Sequence, residues 1–308
     1  MMNITLKENG PGLDRSNMAY AIVFGCIVVL GLPLNAVSLW TLIRRHSLKS
    51  PSAVFMINLA LSDLLLVISL PMRVYFYATG SWPLGIMACI WITMLFRNNI
   101  RSSSIFITFI GVDRLLAVVY PLRSRHLRST SNAWKASAFV WIFALVVNVP
   151  ESINFSKSLY NYMNVPESIN FSKSLYNCSA STCFEFPRCK LLRPPLPYFQ
   201  SVLVFTMLAV NVVSTAMVSW TLRRHLSDSA RVNNKMNVML VFAMNLIMFI
   251  IFFFPLSLAL VLKNGKNAIM PTVCLASMNC CLDPLLYYFS LDAFWKKKED
   301  VDSSLARG

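Results

Sequence analysis

The sequence predicts an all-α membrane protein, a bundle of seven transmembrane helices. Of its 308 residues, 56% are hydrophobic and only 13% are charged, which is more apolar than a soluble core of this size can accommodate. The apolar residues form seven stretches that each approach or exceed the ~20 residues a helix needs to cross a bilayer. They are residues 18–43, 53–78, 85–118, 133–150, 196–222, 236–262 and 268–289.

The basic residues predict how these helices are oriented. The net charge of +15 could suggest a nucleic-acid partner, but lysine and arginine concentrate in alternate connections and in the C-terminal tail. That bias is typical of the cytoplasmic side of a membrane. We therefore expect a multi-pass protein of the plasma membrane, in contact with the bilayer and without a nucleic-acid partner. Residues 1–17 would be extracellular, residues 18–289 the bundle, and residues 290–308 a short amphipathic cytoplasmic helix, helix 8, with a tail.

A duplicated stretch follows the fourth predicted helix. The sequence NVPESINFSKSLYN occurs at residues 148–161 and again at residues 164–177. We expect the helix to end at Pro150, so that this 14-residue tandem duplication lies mainly in an extracellular loop of about residues 151–195. Two copies are too few to stack as a solenoid, and we interpret them as a loop duplication or a gene-model error without a function of its own. Glycosylation sequons on the predicted outer side stand at Asn3, Asn154, Asn170 and Asn177.

The eight cysteines fall into two groups. Four lie within apolar helices and are expected to be buried thiols. They are Cys26, Cys274, Cys280 and Cys281. The other four lie on the predicted outer side, where an oxidising environment permits disulfides. They are Cys89, Cys178, Cys183 and Cys189. Because the three histidines fall in predicted cytoplasmic loops, we expect neither a zinc site nor a metal enzyme.

Polar side chains within the apolar helices mark a first candidate site. A charge near the bilayer centre costs at least ~2.5–3.5 kcal/mol, so such residues usually face the bundle interior and serve a function. The residues are Asn35, Asp63, Asn99, Ser103, Asn279 and Asp283. Together they could surround a small cation or a water cluster. The alternative is a set of separate hydrogen bonds between helices.

Two further features predict a conformational switch. Asp113 precedes Arg114 at the predicted cytoplasmic end of the third helix, and adjacent opposite charges can hold each other at rest and separate when a helix moves. Pro255 and Pro284 interrupt the sixth and seventh helices, where each removes an amide donor and allows a kink. Kinks at these depths could act as pivots.

Three arginines in the predicted outer halves of the helices favour an anionic ligand. Arg73 lies in the second helix, and Arg97 and Arg101 lie four residues apart on one face of the third. A structural alternative is that they snorkel or pair internally. We expect no acidic residue in these outer helix halves to pair with them. Guanidinium groups suit phosphate or carboxylate, because their donors match two oxygens at once.

Several short motifs recur along the chain in a characteristic order, and they are GLPLN, LALSD, Cys89 opening helix three, DRL in place of DRY, Trp141, FFFP and NCCLDPLLYY. With these motifs the chain resembles a rhodopsin-type, class A, G-protein-coupled receptor over about residues 15–298. The resemblance implies that Arg114 contacts a heterotrimeric G protein and that Phe253 replaces the toggle tryptophan of the family. The implied coupling and switch residues are Asp113, Arg114, Phe253, Pro255, Asp283, Pro284 and Tyr287.

The same resemblance implies a sodium pocket and a disulfide. The pocket would consist of Asp63, Asn99, Ser103, Asn279 and Asp283. An allosteric sodium ion in this pocket is the only cofactor or metal expected. The implied disulfide joins Cys89 to Cys183, and Cys178 and Cys189 are near enough in sequence to close a second, smaller ring. Helix five departs from the family pattern, since it lacks the usual mid-helix proline and the tyrosine below it.

Within class A, several stretches resemble the lysophosphatidic acid receptors of the purinergic-like branch. They are SLPMR with SWP, YPLRSRHLR, CFE and LDPLLYYF. This resemblance implies an extracellular anionic lipid whose acyl chain lies among Phe and Met side chains. The expected ligand-binding residues are Arg73, Arg97, Arg101, Phe96, Tyr77, Lys263 and Lys266. Alternative ligands are lysophosphatidylinositol, a kynurenate-type acid or a nucleotide.

Functions of other classes fit the sequence less well. An enzyme would require clustered His, Asp or Glu in the bundle, and the histidines are misplaced for that. Residues 268–289 contain no lysine that could bind retinal, and no inverted repeat suggests a transporter. The remaining alternative is a receptor fold that does not signal, for which DRL and the altered fifth helix are circumstantial support.

Overall fold

A computed structural model of the chain describes residues 15–45, 50–163, 196–225, 232–262 and 268–287. Within these ranges, seven helices are long and apolar enough to cross a membrane, which confirms the predicted fold class. The predicted C-terminal helix at residues 290–308 lies outside the described residues.

The first five spans are single helices, and the last two are interrupted. The single helices are α1 (Arg15–Arg45), α2 (Pro51–Thr79), α3 (Gly85–Val119), α4 (Thr130–Met163) and α5 (Leu196–His225). The sixth span consists of α6 (Val232–Met248), a π-helical segment (Phe249–Phe253) and α7 (Phe254–Val261). The seventh span, Ile269–Tyr287, begins with α8 (Ile269–Ser277).

Local sequence explains where α2 begins and ends. Pro51 occupies its first turn, where the missing N–H is not needed for a helical hydrogen bond. At the other end Gly80 adopts a φ of 68°, and its N–H donates to the carbonyl of Phe76 at 2.8 Å. Glycine takes this left-handed conformation without a steric cost, so α2 can turn sharply into the connection before α3.

Proline also shapes the sixth span. Pro255 is the second residue of α7, just after the π-helical segment, and it lacks the N–H that would donate one turn back. A π turn before the proline accommodates that loss by widening the helix locally. In the seventh span, the interruption is a turn at Met278, six residues before Pro284. The predicted interruption at Pro255 is therefore found, and that of the seventh helix lies earlier than predicted.

The fourth helix is longer than the sequence predicted. It does not end at Pro150 but continues to Met163, so the whole first copy of the duplicated stretch is helical. Proline is tolerated within membrane helices, because neighbouring groups satisfy the carbonyl it leaves without a donor. Contacts of Glu151 and Phe155 with α3 hold this continuation against the bundle. The second copy, residues 164–177, lies outside the described residues.

The third helix occupies the centre of the bundle, and it contacts α2, α4, α5 and the sixth span. A continuous apolar core joins these helices, with Phe24, Phe106 and Phe253 among its fully buried side chains. Large apolar side chains on the outside, such as Val29 and Ile68, are exposed, as expected for helices that face lipid. We refer to the two ends of the bundle by residues of α3, as the Cys89 end and the Asp113 end.

Candidate functional site

Toward the Cys89 end, two arginines of α3 share one carboxylate of α4. Arg97 donates from Nη1 to Oε1 of Glu151, and Arg101 donates from Nη2 to Oε2 of the same group. The side chains of Arg101 and Glu151 are only 2% and 8% exposed, and that of Arg97 is 14% exposed. The expectation that no acidic residue lies in these helix halves is therefore wrong. It failed because Glu151 follows Pro150, where the helix was predicted to end.

Arg101 also connects α3 to α5. Its Nε donates to Oε1 of Gln200 at 2.9 Å, and its Nη1 donates to Oδ1 of Asn148 at 2.6 Å. Asn148 in turn donates to Oδ1 of Asn98 at 3.3 Å. The guanidinium of Arg101 thus binds three different side chains from two neighbouring helices. The first copy of the duplicated stretch supplies two of them, Asn148 and Glu151, so this copy contributes directly to the site.

Arg73 lies on α2 beside the α3 arginines. Its side chain is buried, and its guanidinium carbon lies 4.5 Å from the ring centroid of Phe96. This geometry is a cation–π contact. Arg73 also interacts electrostatically with Arg97 and with Tyr77. We refer to Arg73, Arg97 and Arg101 as the arginine cluster.

Aromatic side chains surround the α2 side of this cluster. The ring of Tyr77 lies 5.8 Å from those of both Tyr20 and Phe24, and its hydroxyl approaches the sulfur of Met270 at 3.5 Å. The structure thus brings together five of the seven predicted ligand-binding residues. They are Arg73, Arg97, Arg101, Phe96 and Tyr77. The other two, Lys263 and Lys266, lie outside the described residues.

The cysteines follow the predicted division in part. Cys89 is disulfide-bonded, whereas its predicted partner Cys183, with Cys178 and Cys189, lies outside the described residues. The pairing therefore stays a prediction. All four cysteines expected to be buried thiols are free, but only Cys274 and Cys280 are buried, whereas Cys281 is half-buried and Cys26 is exposed. The expectation was wrong for Cys26 because α1 stands at the edge of the bundle and turns much of its surface outward. Of the four sequons, only Asn154 is described, and it is exposed on α4.

In the middle of the bundle, the predicted cation cluster is assembled around Asp63. Asn99 donates to Oδ1 of Asp63 at 2.9 Å, and Ser103 donates to the same oxygen at 3.4 Å. From the seventh span, Asn279 donates to Oδ2 of Asp283 at 3.3 Å, and the two carboxyl groups interact directly. Asn35 does not join this cluster. It donates to the carbonyl of Cys280 at 2.7 Å and so ties α1 to the seventh span.

The oxygen atoms of this cluster suit a small cation. Four of them are buried and, apart from the contact between the two carboxyl groups, have no hydrogen-bond partner among the described residues. They are Oδ2 of Asp63, Oδ1 of Asn99, Oδ1 of Asn279 and Oδ1 of Asp283. Carboxylate and amide oxygens are the ligands that hard cations prefer. All of these donors are oxygen atoms, so the set suits a hard cation better than a transition metal that prefers imidazole or thiolate ligands.

At the other end of α3, Asp113 has partners that sequence reasoning missed. Its carboxylate accepts from Nε of Arg128 at 2.9 Å and from Nη2 at 3.4 Å, and it also accepts from the hydroxyl of Ser52 on α2. Arg114 interacts electrostatically with the same carboxylate. The group expected to restrain Arg114 is therefore itself held by two other side chains. Arg128 is one of several basic residues in this predicted cytoplasmic connection, and nothing in the sequence marks it as the partner of Asp113.

The remaining predicted switch residues line the sixth and seventh spans. Phe253 is buried in the π-helical segment, with its ring 5.3 Å from that of Phe249. Pro255 and Pro284 are half-buried in their helices. The hydroxyl of Tyr287 is buried and has no hydrogen-bond partner within the described ranges.

A second polar group within the bundle was also missed. Asn211 on α5 donates to the hydroxyl of Thr108 on α3 at 2.9 Å. A Cβ at Gly111 would lie 3.1 Å from Oδ1 of Asn211 and 3.2 Å from Nδ2 of Asn245, so the amides of α5 and α6 meet over this glycine. Neither amide atom of Asn245 has a hydrogen-bond partner in the described residues. The cost of polar groups in an apolar helix could have identified both asparagines.

Comparisons with known proteins give the family. The chain matches the 7 transmembrane receptor (rhodopsin family) over residues 34–287. It is 34% identical over 310 residues to lysophosphatidic acid receptor 5 of Bos taurus, covering 94% of this chain and 80% of that protein. It is 34% identical over 313 residues to lysophosphatidic acid receptor 4 of Homo sapiens, covering 96% and 79%. A purinoceptor of Gallus gallus is 26% identical over 318 residues, covering 95% and 85%.

These matches span the bundle and both groups of polar residues described above. They agree with seven membrane-length helices and with the motifs found along the sequence. The chain belongs to the rhodopsin family of seven-transmembrane receptors, which are multi-pass membrane proteins with a G-protein partner and not enzymes.

Proposed function

We propose that this receptor binds an extracellular anionic lysophospholipid of the lysophosphatidic acid type and transmits the signal to a heterotrimeric G protein. The N-terminus and the Cys89 end would face outward. The Asp113 end would face the cytoplasm. The observation that carries the proposal is the arginine cluster on two neighbouring helices near the Cys89 end, in which Arg73 and Arg101 are buried and Arg97 is half-buried.

Chemistry and similarity both support a phosphate-bearing ligand. Guanidinium groups bind phosphate oxygens in pairs, and a buried site strengthens such charge-assisted contacts. Phe96 and Tyr77 are buried beside the cluster, and their rings make its surroundings apolar, which suits the part of the lipid next to its head. The relatives named as lysophosphatidic acid receptors support this ligand class, because the chain resembles them across nearly its full length.

The route to the G protein would begin at Asp113. The carboxylate is bound by Arg128 and Ser52, which holds the Asp113 end of α3 against α2 and the connection that follows α3. Release of these contacts would leave Arg114 available to the G protein. Opposite charges that separate when a helix moves are one established form of switch.

A sodium ion would act as an allosteric regulator between the two ends. The residues that would hold it are Asp63, Asn99, Ser103, Asn279 and Asp283, whose buried oxygens are described above. We expect sodium to reduce agonist affinity in the wild-type receptor, because it would link α2, α3 and the seventh span in the resting arrangement. Asp63→Asn should abolish this effect. Sodium dependence that persisted in Asp63→Asn would exclude the site.

The experiment that tests the proposed ligand is a G-protein activation assay in membranes that contain the receptor. The agonist panel should include lysophosphatidic acid, lysophosphatidylinositol, a kynurenate-type acid and a nucleotide. We expect lysophosphatidic acid to be the most potent. A stronger response to one of the other anions would assign that ligand class instead, and no response to any of them at normal surface expression would favour a receptor fold that does not signal.

Arg73 provides the matched residue test in the same assay. Loss of one charge-assisted contact costs about 1.5–3 kcal/mol, which corresponds to roughly a ten- to hundredfold loss of potency. Arg73→Gln should show a loss of this size, and Arg73→Lys a smaller one. Arg44→Gln is the control, because Arg44 also lies over an aromatic ring, that of Trp40 at 4.6 Å, but is exposed toward the Asp113 end. Equal potency of Arg73→Gln and the wild type would make Arg73 structural.

A further inference from the structure

Glu151 occupies the place that a ligand's anion would take on the arginine cluster. Each of its carboxylate oxygens accepts a hydrogen bond from a different guanidinium, one from Arg97 and one from Arg101. The two arginines lie one helical turn apart on α3, and α4 reaches them only because it continues past Pro150. The chain therefore supplies an internal anion at the site proposed for an external one.

The two arginines do not depend equally on Glu151. Arg101 is 2% exposed and also binds Gln200 and Asn148. Arg97 is more accessible, at 14% exposed, and stands on the side of Arg101 nearer the Cys89 end. Its guanidinium carbon lies 5.8 Å from the ring centroid of Phe155, a further residue of the α4 continuation. An incoming head group would reach Arg97 first, while Arg101 keeps its other partners.

We propose that Glu151 is an internal competitor for the ligand: its carboxylate holds Arg97 in the ligand-free receptor, and the anionic head binds by taking Arg97 over. Arg101, with Asn148 and Gln200, retains Glu151 during this exchange. The inference rests on the proposed function, because it names how that same site admits its ligand. Glu151 therefore limits the affinity for the ligand, although the same residue stabilises the ligand-free fold.

Removal of Glu151 should raise the affinity for the ligand, whereas removal of one partner of an ordinary structural ion pair would not. Removing the charge with Glu151→Gln leaves the buried Arg101 and the half-buried Arg97 less well compensated, so the thermal midpoint of the ligand-free protein should fall. The same change removes the competitor, so the affinity for an anionic lipid should rise by about tenfold, the value of one charge-assisted contact. A purely structural Glu151 would lower the midpoint without raising the affinity.

The test measures ligand binding and thermal midpoint on the purified receptor, with an oleoyl lysophosphatidic acid as the probe. We expect Glu151→Gln to bind about tenfold more tightly than the wild type. Glu151→Asp, whose shorter carboxylate reaches Arg97 less well, should gain less. Ser152→Ala is the matched control, because the partly exposed Ser152 follows Glu151 and its hydroxyl donates to the carbonyl of Val149, within α4 itself. Unchanged or weaker binding by both Glu151 variants would overturn the proposal.

A double-mutant cycle separates direct competition from a general change of charge. In an Arg97→Gln background the gain from Glu151→Gln should disappear, because the one guanidinium for which Glu151 and the ligand compete is absent, while Arg101 keeps its bonds to Asn148 and Gln200. A gain of equal size in that background would overturn the proposal. If Glu151→Gln does not fold, Glu151→Asp is measured in both backgrounds and decides by the same criterion.

Inorganic phosphate distinguishes this inference from the function on which it rests. If the wild type binds no lysophosphatidic acid, the proposed function fails. Phosphate should still raise the thermal midpoint of Glu151→Gln more than that of the wild type if Glu151 is a competitor. Equal effects of phosphate on the two proteins would overturn the inference. If the wild type binds lysophosphatidic acid and the Glu151 variants bind it no better, the inference fails while the function stands.

Discussion

Replacement of Arg101 by glutamine tests the contact that joins three helices near the Cys89 end. Arg101 donates to Glu151, to Asn148 at 2.6 Å and to Gln200 at 2.9 Å, and its side chain is 2% exposed. Glutamine is shorter and carries no charge, so it cannot maintain all three bonds. We expect α4 and α5 to be less firmly attached to α3 in this variant.

The size of the effect follows from these contacts. Breaking a buried ion pair by removing one partner costs about 3–5 kcal/mol. Glu151 keeps its bond to Arg97 in the variant, so the lower end, about 3 kcal/mol, applies. With an unfolding entropy of about 2.1 cal/mol/K per residue, a chain of 308 residues loses about 1.5 °C for each kcal/mol, so the thermal midpoint should fall by about 5 °C.

Thermal unfolding of the purified receptor, followed by the exposure of its buried thiols, measures this shift. Cys274 and Cys280 are free and buried, so a thiol-reactive dye reports the opening of the bundle. Arg224→Gln is the control, because Arg224 is exposed on α5 and contacts the ring of Trp220. A midpoint of Arg101→Gln within about 1 °C of the wild type, a limit set by about 0.5 kcal/mol, would refute the account of Arg101 as the connection between these helices.

Three further predictions concern the duplicated stretch, the polar group around Gly111 and the Asp113 end. Deletion of residues 148–163 should leave surface expression and signalling intact. The second copy would restore the same sequence after helix four, with Glu167 in the position of Glu151. Loss of the agonist response at normal expression would show that the duplication has a function. Gly111→Val should lower the thermal midpoint, since even its Cβ would lie 3.1 Å from an amide oxygen and overpacking costs about 1–3 kcal/mol; an unchanged midpoint would contradict the packing described. Arg128→Gln should raise agonist-free G-protein activation by releasing Asp113, and an unchanged basal signal would exclude that restraint.

The sequence predicted the centre of the bundle better than its ends. Asp63, Asn99 and Ser103 could be assigned to one cluster because a charge in an apolar helix must face the interior, and residues four apart on α3 share a face. The arginine cluster could be predicted for the same reason. Both predictions depend on the free-energy cost of a charged side chain in an apolar helix, which does not depend on the details of tertiary packing.

The failures occurred where tertiary contacts outweighed local signals. Pro150 predicts the end of a helix, yet α4 continues to Met163, because the bonds of Glu151 to two arginines hold the following turns against the bundle. The partnership of Asp113 with Arg128 depends on how the connection after α3 folds back, which residue spacing alone does not give. Cys26 was expected to be buried, because an apolar segment does not by itself reveal which of its faces meets lipid.

The most direct test of the central claim is equilibrium binding of a labelled oleoyl lysophosphatidic acid to membranes that contain the receptor. Oleoyl glycerol, which has the same acyl chain without the phosphate, is the matched competitor. If the arginine cluster binds the phosphate, binding should be saturable, should be displaced by unlabelled lysophosphatidic acid and not by oleoyl glycerol, and should weaken roughly ten- to hundredfold in Arg73→Gln. Equal displacement by oleoyl glycerol, or unchanged affinity in Arg73→Gln at normal expression, would contradict the account.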